Sequence, residues 1–330
     1  MPCENCSMKN QQIKVKVVDD NKKIMEMMEK YLIRLDIPVE KDKNILKVNE
    51  IGASDLLDFS QDHLQDETVE FQLLDREWKS IDEINDFLEA EWIDEVINNK
   101  HIHCHYQPIV TRHKEIYAYE LLARFKNEDG TIIYPNEIFE AANNRGRIYA
   151  LDRLCRMTAV RHATKIVNGA KAFINFIPTS IYAPEFCLRS TTSLAKELNI
   201  DTADLVFEVV ETEQVEDVKH LKSILHYYRE RGFQYALDDV GAGYNTIDLL
   251  ADLSPRYMKL DMQYVQGVAE DKEKQIVALK FLEKAEELGA TSLAEGIENE
   301  QDFIWLKQKG YQLFQGYYFG KPEAEPKLVI

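Results

Sequence analysis

Apolar and polar positions along this chain change period more than once, and each change marks a structural boundary. Ile13 to Val18 alternates as a short strand, and Asn21 to Leu35 then places Ile24, Met27, Met28, Tyr31 and Leu32 on one helical face. Asp36-Ile37-Pro38 ends that helix, because a proline disfavours helical backbone in the residue before it. Ile45 to Ile51 and Val69 to Leu74 are further predicted strands, with Ala53 to Phe59 as a short helical piece between them. Residues 1–79 thus read as a small α/β unit. From Ser80 to Asn99 the sequence is acidic, with Ile81, Ile84, Phe87, Leu88, Trp92, Ile93, Val96 and Ile97 at helical spacing. That spacing predicts one amphipathic connecting helix over 80–99.

Beyond Asn99 the pattern becomes short β-rich runs separated by helical stretches such as Val218 to Arg231 and Lys272 to Leu288, as in repeated βα units. The runs end near Val110, Leu121, Phe176, Val210, Asp239, Asp261, Glu295 and Gln315, and eight of them suit a closed parallel barrel over 100–330. The chain's 330 residues accommodate both, since such a barrel takes roughly 250.

Charge narrows the function. The formal net charge of −18 opposes broad binding to nucleic acid polymers or anionic membranes. No apolar run approaches the roughly 18 residues of a membrane span, so a cytoplasmic protein is expected. Cys3, Cys6, Cys104, Cys155 and Cys187 form no framework and are expected to be reduced. Cys3 and Cys6 make a lone CxxC, short of the four ligands of a closed zinc site. Alternation places His101, His103 and His105 on one strand face and Cys104 on the other, so thiol and imidazoles do not converge.

Candidate chemistry lies at the predicted strand ends, where Glu120, Asn175, Glu208, Asp238, Asp239, Asp261 and Glu295 offer oxygens. In a parallel barrel these ends open onto one face, so residues far apart in sequence converge. Converging carboxylates repel unless cations neutralise them, and an all-oxygen set with one amide selects Mg2+ or Mn2+ over zinc. The small residues Gly241-Ala242-Gly243 after the aspartate pair let a loop pass close to a ligand.

These residues resemble the EAL-domain phosphodiesterases. The matching segments are Tyr106-Gln107-Pro108-Ile109, then Glu120-Leu121-Leu122-Ala123-Arg124 (an ExLxR pattern with Leu where the family name has Ala), Ile174-Asn175-Phe176, and Phe207-Glu208-Val209-Val210-Glu211. They continue with Asp238-Asp239-Val240-Gly241-Ala242-Gly243-Tyr244, Lys259-Leu260-Asp261, Ala294-Glu295-Gly296-Ile297-Glu298 and Gln315-Gly316-Tyr317. The likeness runs in order from about Ile93 to Pro322.

The resemblance implies an EAL-type (β/α)8 TIM-like barrel that hydrolyses the cyclic dinucleotide c-di-GMP to linear pGpG, as a homodimer formed through the barrel. It implies two Mg2+ or Mn2+ ions held by Glu120, Asn175, Glu208, Asp238 and Asp239, with Glu295 completing the cluster. Two such ions activate water and steady both oxygens of an in-line displacement. Lys259 is similar to the lysine that orients the attacking water, and Asp261, two residues along, is expected to fix it by a charge-assisted hydrogen bond. Arg124 resembles the phosphate-contacting arginine, Gln107, Asp152 and Gln315 are candidate substrate contacts, and Glu211 matches the glutamate that steadies the loop after the paired aspartates. Val240 and Ala242 replace a more typical Phe and Thr in that loop. The rival from another class is a c-di-GMP receptor without turnover, although such domains usually lack a metal ligand or the lysine, and all are present here. An enolase-type proton-abstracting barrel is a further reading, against which the order of the motifs argues.

Overall fold

A computed structural model describes residues 12–18, 21–64, 68–73, 76–127, 129–167, 169–178, 181, 183–210, 218–240 and 255–327. The chain divides into two compact units, one of residues 1–100 with 133–151 and the other of 101–132 with 152–330.

In the first unit five antiparallel strands lie in the order Val39–Asp42, Ile45–Val48, Ile13–Val17, Val69–Gln72, Lys79–Ser80. Ile13, Val15 and Val17 turn inward while the lysines between them do not, the expected period of two. Helices Lys22–Arg34 and Glu50–His63 supply Met25, Met28, Leu32, Ala53, Leu56 and Leu57 to the same core. Each begins at an asparagine cap, Asn21 accepting from Ile24 N and Asn49 from Gly52 N. The second cap ends the preceding strand at Val48, short of the Ile51 expected from hydropathy.

The single helix expected over 80–99 is instead a 3₁₀ turn Ile81–Glu83 and two helices, Ile84–Glu89 and Trp92–Asn99. Around Ala90 the bonds Glu91 N to Leu88 O and Ile93 N to Ala90 O each span three residues, which interrupts the α-helical ladder between the two helices. The segment 133–151 lies within the barrel stretch in sequence but groups with the first unit, tied there by two buried arginines. Arg145 bonds Glu50 at 2.8 Å and Asp94 at 3.0 Å, its guanidinium lies 4.3 Å from the Phe87 ring centroid, and Arg147 reaches Asp94 at 2.7 Å.

The second unit is a closed eight-stranded barrel. Its strands are Ile102–Thr111, Ile116–Lys126, Lys171–Phe176, Leu205–Val210, Gln234–Val240, Tyr257–Leu260, Thr291–Ala294 and Leu313–Gln315. The last seven run parallel around the wall, but the first is antiparallel to both its neighbours, a correction to the all-parallel barrel expected from sequence. The reason is the link between the first two strands: residues 112–115 are too few for a crossover, which takes a dozen or more, so the strands form a hairpin. The first strand therefore starts, and the other seven end, at the same mouth.

Inside the barrel Ile109, Ala118, Phe173, Val206, Ala236, Tyr257, Leu293 and Leu313 form one apolar layer, a residue from each strand. Two residues further towards the mouth the same strands carry Gln107, Glu120, Asn175, Glu208, Asp238, Lys259 and Gln315, and Glu295 stands one residue past the end of its strand. Because the first strand is reversed, its Gln107 precedes Ile109 where every other polar residue follows its apolar mate. A second, larger apolar core lies outside the wall, between strands and helices, and contains Cys104 and Tyr106. Burial pushes the Cys104 thiol up to about 12, so it stays protonated, and Cys104, Cys155 and Cys187 are free thiols. Cys3 and Cys6 lie outside the described residues.

Candidate active site

The polar layer is organised around one lysine. Lys259 is fully buried, and its Nζ pairs with Glu208 Oε1, with Glu295 Oε1 at 2.5 Å and with Asp238 Oδ1 at 3.0 Å. Beside it Glu120 accepts from Asn175 Nδ2 at 2.8 Å and from Gln315 Nε2 at 2.6 Å, so two amides orient both its oxygens. Burial opposes the lysine's charge, but Asp238, Glu208 and Glu120 outweigh it and hold the ammonium above the ordinary lysine range. Burial likewise pushes the Glu208 carboxyl well up, with Glu120 and Asp238 adding to the rise and Lys259 opposing it. Both shifts favour added positive charge, as expected where four carboxylates share one ammonium.

The donor set fits a divalent cation. Oxygens of Glu208, Asp238 and Glu295 lie within 4.8 Å of one another, the only such acidic group among the described residues. Glu208 Oε2 and Gln315 Oε1 are buried without hydrogen-bond partners among the described residues, and buried lone pairs of this kind are what a hard cation or its water occupies.

Two glycines hold the last carboxylate and amide in place. Gly296 and Gly316 follow Glu295 and Gln315 with φ of +67° and +152°, and a Cβ at either would collide, with Met262 and with the Ile297 backbone respectively. The Glu-Gly and Gln-Gly pairs are thus a packing requirement of strand ends that pass close to neighbouring chain.

Glu120, Asn175, Glu208, Asp238, Lys259, Glu295 and Gln315 accordingly come together, with Gln107 opposite Glu120 in register. Half-buried Arg124 sits two pleats further out on the Glu120 face; burial lowers its pKa, with Glu120 opposing. Asp261 departs from its expected place. The strand ends at Leu260, and the Asp261 carboxylate caps the next turn by accepting from Gln263 N at 2.6 Å, while the lysine's ion-pair partners are the three carboxylates named above. Asp152 lies on helix Ile148–Ala163, where its carboxylate is committed to Arg156 Nε and Ile177 N, each at 2.9 Å. It steadies the chain just past Asn175. Arg156, completely buried and also bonded to Thr191 at 2.9 Å, went unnoticed in the sequence, although its position four residues after Asp152 on a helix is the signal for such a pair. The side chain of Asp239, Glu211 and the 241–244 loop lie outside what is described.

Fold and site together define a (β/α)8-type barrel with an acidic, cation-attracting centre at its mouth. The chain belongs to the EAL domain family, whose profile matches residues 90–322. Among curated relatives it is 34% identical over 248 residues to the probable cyclic di-GMP phosphodiesterase PdeG and 26% identical over 238 residues to the cyclic di-GMP phosphodiesterase PdeF, both of Escherichia coli (strain K12). These matches cover 72% and 70% of this chain but 48% and 31% of the relatives, so the chain spans half or less of their length. Among solved structures, a standalone versatile EAL protein from Vibrio cholerae O395 in its c-di-GMP-bound form is 36% identical, with a TM-score of 0.61, covering 69% of this chain and 95% of that one. The EAL domain of FimX from Pseudomonas aeruginosa, bound to c-di-GMP, shares the fold at 21% identity and a TM-score of 0.65, over 72% of this chain and 97% of that one. Among the described residues no helix is long and apolar enough to cross a membrane.

Proposed function

We propose that this chain is a cyclic di-GMP phosphodiesterase that opens the ring by hydrolysing one phosphodiester, giving linear pGpG. The observation that carries the reading is the set of four carboxylates, Glu120, Glu208, Asp238 and Glu295, around the single buried ammonium of Lys259. Two Mg2+ or Mn2+ ions would be held by Glu120, Asn175, Glu208 and Asp238, with Asp239 and Glu295 completing the set. Bound there, the cations would make water a better nucleophile and neutralise charge on the attacked phosphate.

The chain's own residues do the remainder. Asn175 and Gln315 fix the Glu120 carboxylate, which saves reorganisation when substrate arrives. Lys259 stays charged, so it donates hydrogen bonds: it orients the attacking water through a lone pair and steadies charge developing on phosphoryl oxygens. The proton released by that water passes to a carboxylate of the cluster. Arg124 offers a planar guanidinium to phosphate at the mouth. Glu211 and Asp261 act at a distance in this reading, holding the loop and the turn beside the site, and two copies pair through the barrel.

Incubation of the protein with cyclic di-GMP and Mg2+, followed by chromatography, tests this directly. Linear pGpG is expected, with turnover lost on chelation and suppressed when Ca2+, which prefers longer bonds and more ligands, replaces Mg2+. Retention of intact ligand without turnover would make the chain a receptor, and absence of any interaction would overturn the reading altogether.

A further inference from the structure

Behind the barrel wall, beside aromatic side chains of the larger apolar core, an ion pair is shut away from solvent. Asp152 and Arg156 lie one turn apart on helix Ile148–Ala163, Oδ2 to Nε at 2.9 Å, and each side chain is only 2% exposed. Arg156 Nη1 also donates to the buried Thr191 hydroxyl of helix Arg189–Glu197 at 2.9 Å, and the Tyr228 hydroxyl, on helix Val218–Glu230, stands beside the same guanidinium. Side chains of three helices thus meet at one cation. Tyr228 in turn stacks on Phe207, the residue before Glu208, with ring centroids 4.1 Å apart. Such a pair is a poor source of stability, because two charges must be desolvated and apolar side chains of similar volume usually serve as well or better. What it supplies is direction. A carboxylate held by a guanidinium can fix one further donor at a set place, and the donor that Asp152 fixes is the backbone N–H of Ile177, at 2.9 Å. Ile177 is the first residue past strand Lys171–Phe176, whose last residue but one is Asn175. Inside the wall Asn175 donates from Nδ2 to Glu120 at 2.8 Å, which leaves its carbonyl oxygen as the atom for a cation.

We propose that Asp152, paired with Arg156, is a positioning residue for the cation site: it clamps the end of strand Lys171–Phe176, so that the Asn175 amide keeps both its bond to Glu120 and its oxygen in the cation's place. The assignment rests on the phosphodiesterase reading, in which Asn175 is a cation ligand. Both Asp152 oxygens are committed inside the core, so the residue acts through Asn175 and does not touch substrate. Outer partners of this kind set ligand geometry in metal sites generally, and their loss costs about 10- to 100-fold in affinity. The clamp differs from the usual outer partner in one respect. It grips the ligand's backbone from behind the strand, where neither substrate nor cation can reach, and leaves the Asn175 side chain to its inner neighbours.

The test measures Mn2+ affinity of the full chain without substrate, from the paramagnetic resonance of the free ion, beside the Mn2+ dependence of cyclic di-GMP hydrolysis. Two double variants remove the ion pair and leave no charge over. Asp152→Leu with Arg156→Met takes the acceptor from Ile177 N and is expected to weaken Mn2+ binding about tenfold. The Mn2+ concentration that half-saturates hydrolysis should rise to match, with kcat at saturation within a few-fold. Asp152→Asn with Arg156→Met keeps an acceptor oxygen at the same place and should recover most of the affinity. In an Asn175→Ala background the first pair of substitutions should cost less than about twofold more, since the residue it acts through is gone. The clamp is overturned if the first pair leaves Mn2+ binding unchanged, if the second loses as much as the first, or if the loss persists in full without Asn175. Hydrogen exchange in the unmodified chain needs no variant to fold: the Ile177 amide, though past the strand, should be as protected as that of Phe176, and rapid exchange there overturns the clamp as well. A parent protein that binds Mn2+ and shows the same variant pattern without turnover would keep the clamp and refute the phosphodiesterase. One that binds no Mn2+ refutes both.

Discussion

The apolar and polar layers inside the barrel differ by two residues along the same eight strands, and they do opposite things. Phe173 and Asn175, Val206 and Glu208, Ala236 and Asp238, Tyr257 and Lys259, Leu293 and Glu295, Leu313 and Gln315 are neighbours on one pleat. The lower member of each pair joins a dry cluster whose burial favours folding, at roughly 25 cal/mol per Å² of apolar surface. The upper member brings a charge, or at Asn175 and Gln315 a polar amide, into a place where such groups are costly to desolvate. One backbone thus holds a stabilising layer and a chemically useful layer in fixed register, and the second borrows its rigidity from the first.

The sharpest way to break this comparison is to remove Lys259. Lys259→Ala takes the only ammonium from four carboxylates and should cost about 3 to 5 kcal/mol of stability without divalent cation. It should also lower turnover about 10²- to 10⁴-fold. Denaturant melts with and without Mg2+ separate the two effects: the cation is expected to recover stability and not activity. Recovery of neither would mean that the lysine is structural.

In the lower layer, Leu293→Ala should cost about 2 to 5 kcal/mol through lost burial and a cavity, while turnover per folded molecule stays within a few-fold. Urea titration beside an assay well below the unfolding midpoint checks this, and a stable but inactive variant would show that the layers are not separable.

A smaller and opposite effect on stability is expected at Glu208. Glu208→Gln removes one of the surplus buried charges while keeping the side chain's shape, so metal-free stability should hold or rise by up to about 2 kcal/mol as turnover collapses. A clear loss of metal-free stability would place the carboxylate among the groups that hold the fold together.

The smallest effect is on pH. His103, His105 and His162 all have pKa values lowered from the ordinary 6.5, chiefly by burial. The unfolded chain then binds protons more readily than the folded one, so their contribution is complete above 6.5 and declines as pH falls below it. Melting temperatures from pH 7.5 to 5.5 should drift down, and the drift should shrink in His103→Gln. An unchanged slope in that variant would remove His103 from the titrating set.

How much of this was readable in the sequence follows from the kind of signal each feature leaves. Barrel strands are buried on both faces, so they read as apolar runs, and a polar residue at or near the end of such a run marks the mouth; this is why Glu120, Asn175, Glu208, Asp238 and Glu295 could be picked out, whereas Lys259 came only through the family resemblance. Strand direction leaves no mark in hydropathy, and the reversal of Ile102–Thr111 became legible only through the shortness of the turn at 112–115. Asp261 was misplaced because alternation was extended one residue beyond the strand, to a position where the backbone had already turned to cap a helix. The break at Ala90 within an unbroken amphipathic pattern is a packing outcome that periodicity does not encode. The two arginines Arg145 and Arg147 leave no signal in the sequence, since their partners Glu50 and Asp94 are separated from them by whole elements.

Those arginines bear on the order of events during synthesis. The first unit counts residues 133–151 among its own, so it is not finished when its first hundred residues leave the ribosome. Two strands of the barrel, Ile102–Thr111 and Ile116–Lys126, must emerge before Arg145 can reach Glu50 and Asp94. Until then Glu50 and Asp94 face solvent without their guanidinium, and the nascent hairpin has no later strand to close against. Translation speed across residues 101–151 therefore sets how long both halves wait in an incomplete state, and a pause placed there would lengthen the exposure of an unpaired barrel edge.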